Sequence, residues 1–313
     1  MKILVFGHKN CVDGCGAAIL AKLAFDYVNY ELCDPYELPT LLEDYINDES
    51  IYTFDKIFIV DLWLTDPLLT KIAEDKELNG KLFIFDHHRS AIEDSLDRYP
   101  FTKIIVADEL GKCCGSSLFY EYLLENNYLE KSAKGIYKLV ELTRKFDTDE
   151  WRTRYNDSEP EDLSIFLNSV GEEYYIDHIY KKLLENDFHF SLTEDDTKVV
   201  EIRRLEAKYR ISSFLRTLRY KRVAGYKAII LDIDYEFRNQ VAEFLQTTDY
   251  EGDFIMMVAR DKGVVSFRNL NPDVNVRMIA ESYGGKGHDF AAFAKINKEL
   301  ENIISVESEE EKN

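Results

Sequence analysis

Four short apolar runs, Ile3–Phe6, Ile57–Val60, Leu82–Phe85 and Ile104–Val106, recur through the first third of the chain and alternate with helical patterns at Ala17–Tyr27 and Pro67–Glu77. This alternation predicts βαβ units, and so an α/β fold whose N-terminal sheet is mainly parallel and flanked by helices. Three runs end in residues that can bind cations or move protons: His8 and Asp13, then Asp61, then Asp86-His87-His88. Open α/β sheets bind ligands beyond the carboxyl ends of their strands, so the three groups point to one shared site.

Beyond residue 115 the pattern turns helical at Ser116–Asn126, Ile136–Lys145 and the charged stretch Asp195–Leu218, the last reading as a long connecting helix. Strands return at Tyr226–Asp232, Phe254–Ala259 and Gly263–Arg268, followed by a helical pattern at Val276–Tyr283 and a glycine cluster at 284–287. The expected organisation is a catalytic domain over 1–190, a helical linker over 191–220, a smaller α/β domain over 221–305 and an acidic tail over 306–313.

Composition narrows the function classes. A formal charge of −20 argues against passive binding of long nucleic acid, which needs a broad basic surface to release counterions. A short anionic substrate stays open, with metal ions or a local basic cluster supplying the positive field. Five cysteines, two of them adjacent, suit reduced thiols better than a disulfide framework. No secretory-type leader is seen, and no apolar run approaches the roughly 18–20 residues that span a bilayer, so a cytoplasmic protein without a membrane partner is expected.

Asp and His at successive strand ends are what two divalent cations need, because carboxylates can bridge two ions while imidazoles complete each shell. A single Asp after a strand is usually a turn or cap residue. Adjacent His87 and His88, in a chain with six histidines, are harder to read that way.

Taken in order, "H…DG" (8, 13–14), "VDL" (60–62), "FDHH" (85–88), "KFDTDEW" (145–151) and "GGKGHDFAAF" (284–293) resemble the DHH phosphoesterase superfamily. More narrowly, they are similar to its two-domain members with a DHH-associated C-terminal domain, the nanoRNase B type of oligoribonuclease above all. The resemblance implies two divalent ions, usually manganese. It assigns His8 to the first ion, Asp13, His87 and Asp147 to the second, and Asp61 to both. Asp86 would orient its neighbours, and His88 would lie near the transferred phosphoryl group as an orienting group or proton donor. Arg268, Gly284, Gly285, Lys286, Gly287 and His288 would hold the substrate. The implied reaction is hydrolysis of short single-stranded oligonucleotides or dinucleotides to mononucleotides by a water activated between the ions. A homodimer is compatible with this.

Two positions depart from the family pattern. Where the family carries Asp-x-Asp-Gly, this chain reads Cys11-Val12-Asp13-Gly14, so Cys11 stands at the first carboxylate position. A ligating thiolate there would favour zinc or iron over manganese. Where the family carries Gly-Gly-Gly-His and a later Ala-Ala-Gly, Lys286 interrupts the glycines and Phe293 replaces the last one. The residues leave open a cyclic or linear dinucleotide phosphodiesterase, a single-strand DNA exonuclease, a pyrophosphatase, and a catalytically weak nucleotide-binding regulator.

Overall fold

The computed structural model describes residues 1–93, 96–109, 111–186 and 188–305, and it divides into two compact units, Met1–Glu201 and Ile202 onward. The expected acidic tail, 306–313, lies outside the described residues. Among those residues, the first unit holds strands β1 (Lys2–His8), β2 (Tyr27–Cys33), β3 (Lys56–Val60), β4 (Leu82–Asp86) and β5 (Thr102–Ile104), ordered β2-β1-β3-β4-β5 and parallel throughout.

Both faces of this sheet are covered. Helices α1 (Val12–Ala24), α5 (Gly115–Glu125), α6 (Lys134–Asp147), α7 (Glu159–Val170) and α8 (Glu172–Glu185) bury Ile3, Val5, Phe58 and Phe85 on one side. Helices α2 (Leu38–Asn47) and α3 (Asp66–Glu74) bury Leu4, Phe6, Ile57 and Ile59 on the other. Burial on two faces is why β1, β3 and β4 read as unbroken apolar runs. Short α4 (Arg89–Glu93) follows β4. The chain leaves β1 towards β2 and then returns across β1 to reach β3, so the crevice at the carboxyl ends of β1 and β3 is a topological switch point.

The second unit begins within α9 (Glu194–Phe214) and contains β6 (Arg219–Val223), β7 (Tyr226–Asp232), α10 (Arg238–Gln246), β8 (Phe254–Ala259), β9 (Val264–Asn269), α11 (Val276–Glu281), β10 (Lys286–Gly287), β11 (Ala291–Lys295) and α12 (Lys298–Ile304). Its sheet runs β10-β11-β9-β8-β7-β6, parallel at β7–β8 and antiparallel elsewhere. Helices α11 and α12 cover one face, while α10 and the end of α9 cover part of the other.

Several expected elements shift. The pattern at Ala17–Tyr27 stops as a helix at Ala24, and Tyr27 opens β2. That strand is at the sheet edge and carries Asn29 and Glu31, so it lacks an apolar run. The fifth strand is Thr102–Ile104 rather than Ile104–Val106, because the carbonyl of Val106 accepts from Cys113 N as the chain turns through the Ala107–Lys112 bridge. The helix expected to reach Leu218 ends at Phe214, and Arg219 starts β6. The basic run 203–210 lies on α9, where Arg203 pairs with Glu206 and Glu236 and Arg210 with Asp234. No helix among the described residues is long and apolar enough to cross a membrane.

Candidate active site

Asp61 leaves β3 with φ of +59°, a left-handed conformation uncommon outside glycine and held here by its surroundings. Its amide donates to the carbonyl of Phe85 on β4 at 3.0 Å. A Cβ on Gly115 would lie 2.5 Å from the Asp61 amide nitrogen, so glycine is what lets α5 begin against this turn. Gly14 does the same for β1, since a Cβ there would lie 2.0 Å from the carbonyl oxygen of His8.

The Asp61 carboxylate is 2% exposed. Its Oδ2 lies 3.2 Å from His8 Nδ1, and its Oδ1 lies 3.3 Å from His87 Nε2 and 3.8 Å from His88 Nδ1. Burial alone would raise its pKa, but hydrogen bonds from His8 and His87 and the imidazolium charges hold it well below the usual carboxylate range. Burial likewise disfavours the charged rings of His8 and His87, yet Asp61 raises the first and Asp147 with Asp61 raises the second.

Asp13 sits in the first turn of α1, fully buried. Its two oxygens each accept at 2.7 Å, one from Gly115 N and one from Ser116 N, while Ser116 Oγ donates to its carbonyl at 2.5 Å. The first turn of α5 thus supplies its partial positive charge to this carboxylate. Burial, with the charges of Asp61 and Asp147, nevertheless pushes its pKa up to about 7. The Cys114 thiol also bonds to this carboxylate, which still retains a lone pair for a cation.

Cys11 caps α1, its Sγ accepting from Asp13 N at 3.4 Å and facing Asp147 Oδ1 at 3.8 Å. Burial and the neighbouring carboxylates push the thiol pKa well up, so a thiolate here needs a cation in place of the proton. Asp147, the last residue of α6, places Oδ2 3.0 Å from His87 Nε2, yet that buried oxygen receives no well-directed hydrogen bond. Asp86 accepts from or shares a proton with His88 Nδ1 at 2.8 Å through Oδ1, and its buried Oδ2 has no hydrogen-bond partner among the described residues. Burial opposes the charged form of His88, and Asp86 outweighs it, raising the ring's pKa.

Three donor sets emerge, each with ligand atoms within 4.8 Å of one another: His8, Cys11 and Asp61; Asp13, Asp61, His87 and Asp147; and Asp61, Asp86, His87 and His88. Asp61 belongs to all three. Carboxylate and imidazole donors around under-satisfied buried oxygens fit divalent cations.

The remaining expected residues lie in the second unit. Arg268 is on β9 opposite Ala291, donating to the Phe267 carbonyl at 3.0 Å and to Asn239 Oδ1 at 3.2 Å. Gly284 has φ of +76° and open space around it, whereas a Cβ on Gly287 would meet Ala292 Cα at 2.4 Å. Gly285 likewise packs tightly, so these two glycines let β10 lie against β11. Lys286 is exposed, and His288 stacks on Phe290 with centroids 5.6 Å apart.

Sequence reasoning missed the backbone donors of Gly115 and Ser116, which have no side-chain signature. It also passed over Trp63, whose ring lies 4.9 Å from that of His88; its place two residues beyond Asp61 was the available signal. Cys114 caps α5 with Ser117 reciprocating, leaving Ser116 for Asp13.

Residues 2–143 match the DHH family, N-terminal domain. That match spans the parallel sheet and the helices up to α6. It is 25% identical over 310 residues to the oligoribonuclease NrnB of Bacillus subtilis (strain 168), covering 97% of this chain and 75% of that protein. Its fold is similar to exonuclease RecJ bound to manganese (TM-score 0.60, 16% identity, covering 97% of this chain and 88% of that one). It is also similar to PggH, a pGpG-specific phosphodiesterase from Vibrio cholerae (TM-score 0.51, 13% identity, covering 97% and 96%). These three proteins are named an oligoribonuclease, an exonuclease and a phosphodiesterase.

Proposed function

We propose that this chain is a DHH-family enzyme that hydrolyses short single-stranded oligonucleotides to mononucleotides in the cytoplasm, using two divalent ions at the carboxyl edge of the first sheet. One observation carries the reading: the buried Asp61 carboxylate is common to a His8–Cys11 donor set and an Asp13–His87–Asp147 donor set. In this reading His8 and Cys11 hold the first ion, Asp13, His87 and Asp147 the second, and Asp61 both. The ions, manganese in the harder set, would supply Lewis-acid activation of water and of phosphoryl oxygens.

The chain's own residues do the rest. The amides of Gly115 and Ser116 keep Asp13 oriented, and the left-handed turn keeps Asp61 between the two sets. Asp86 fixes His88 by its Nδ1 and favours the protonated ring, which suits His88 to deliver a proton to the departing alcohol. The first unit serves as the catalytic domain. The second contributes substrate contacts through Arg268, whose fork matches a phosphate, and through Gly284, Gly285, Lys286, Gly287 and His288. The relative NrnB, named an oligoribonuclease, supports the choice of short RNA.

The test is a time course with an RNA dinucleotide, an RNA pentamer and a cyclic dinucleotide, each with manganese, zinc or chelator. Release of mononucleotides from the linear RNAs, stopped by chelator, is expected. Tight binding of one substrate without turnover would instead support a regulatory protein, with Cys11 having weakened the first set.

A further inference from the structure

Residues of β11 alternate in burial. Ala292 and Ala294 pack with Val265 and Phe267 of β9 beneath α11 and α12, which turns Phe293 to the opposite face of the sheet. On that face α10 and the end of α9 cover Ile229, Leu231, Ile255 and Met257 of β7 and β8, through Val241, Leu245, Ile211 and Phe214. The cover does not extend over β11, where Phe293 is 39% exposed. An aromatic ring left in water there gives up hydrophobic free energy that a flat apolar ligand would recover.

The neighbours of that ring define the ligand. Lys286 is the direct cross-strand partner of Phe293 and forms no ion pair among the described residues. Arg268 is opposite Ala291, two residues along β11 and on the same face, and is steadied by the Phe267 carbonyl and Asn239. Cross-strand and diagonal neighbours lie roughly 5–8 Å apart, about the spacing of a base and its adjoining phosphates. The strand itself is firmly placed, because β10 packs so closely that no Cβ fits at Gly285 or Gly287. A planar ring between two cations, on a chain of net charge −20, matches a nucleobase with flanking phosphates.

We propose that Phe293 is a stacking platform for one base of the oligonucleotide, with Lys286 and Arg268 meeting the phosphates on either side. This rests on the reading of the enzyme as an oligonucleotide hydrolase and adds a specificity-determining residue to it. Stacking in substrate binding lowers KM and leaves the chemical step alone.

The test is steady-state hydrolysis of RNA dinucleotides and pentamers, intact or with one abasic residue at each position in turn, by the full-length protein and by Phe293→Ala, Phe293→Leu and Phe293→Trp. On intact RNA, Phe293→Ala is expected to raise KM between about fivefold and a hundredfold with kcat kept within about threefold. Phe293→Leu should follow alanine and Phe293→Trp should retain the natural KM. One abasic position should raise KM in the natural protein and add nothing in Phe293→Ala. The indole fluorescence of Phe293→Trp should fall with intact RNA and not with that abasic RNA. Equal KM values for the natural protein and Phe293→Ala, or for intact and abasic RNA at every position, overturn the platform while leaving the hydrolase reading intact. Failure of the natural protein to hydrolyse any of these RNAs overturns the hydrolase reading and the platform together.

Discussion

Asp61 and Asp196 of the first unit are both buried beside histidines, and their surroundings separate a candidate catalytic site from a structural one. Asp196, in the first turn of α9, accepts from Thr193 N at 2.8 Å, pairs with Lys182 at 3.1 Å and with His178 at 3.0 Å, and returns its own amide to Thr193 Oγ1. Asp61 is as deeply buried, yet its carboxylate meets only imidazoles among the described residues, from a backbone turn in the left-handed region. Both have depressed pKa values. Asp196 is saturated by a backbone amide, a fixed cation and a ring, so it caps a helix and joins α8 to α9. The groups around Asp61 can exchange protons for metal ions, and among the described residues one buried oxygen of Asp86 and one of Asp147 receive no well-directed hydrogen bond. Burial with complete local satisfaction indicates structure; burial with exchangeable partners indicates function.

The comparison is broken most sharply by Asp61→Ala, which should lower kcat about a thousandfold or more while the fold survives. Steady-state rates with a thermal melt check both halves, and an active Asp61→Ala enzyme would erase the distinction. Asp86→Asn acts through His88 and should lower the rate about 10- to 100-fold, with the alkaline limb of the pH–rate profile moved to lower pH as the His88 pKa falls. Cys11→Asp replaces a soft donor by a hard one, so about tenfold less manganese should half-saturate activity, with zinc losing its advantage. Asp196→Asn should cost about 1–3 kcal/mol in denaturant unfolding with rates within about twofold of natural.

The smallest effect lies in pH. Burial would raise the Asp196 pKa, but bonds from Thr193, His178 and Lys182 bring it down to about 2, from an ordinary value of 3.8. A carboxylate whose folded pKa is depressed stabilises the fold above its unfolded pKa and loses that contribution as pH falls through the folded value. Stability should therefore drop between about pH 4 and pH 2, and Asp196→Asn should flatten that part of the curve in melts followed by circular dichroism.

Strands β1, β3 and β4 were legible because burial on two faces writes an apolar run into the sequence, and the candidate site was proposed from side chains that stand at the ends of those runs. Edge strand β2 and short β6 carry polar residues and left no such trace. What supports the site was hidden for a different reason. The donors to Asp13 are amides, the turn at Asp61 is a dihedral angle, and the exposed face of Phe293 depends on where α10 stops. None of these is a residue type.

The most direct measurement counts ions per chain by native mass spectrometry of manganese-loaded protein, beside Asp61→Ala. Two ions on the natural protein, with both lost or markedly weakened in the variant, is the predicted result. A natural protein that hydrolyses RNA with no bound ion, or a variant that keeps both, would contradict a centre shared through Asp61.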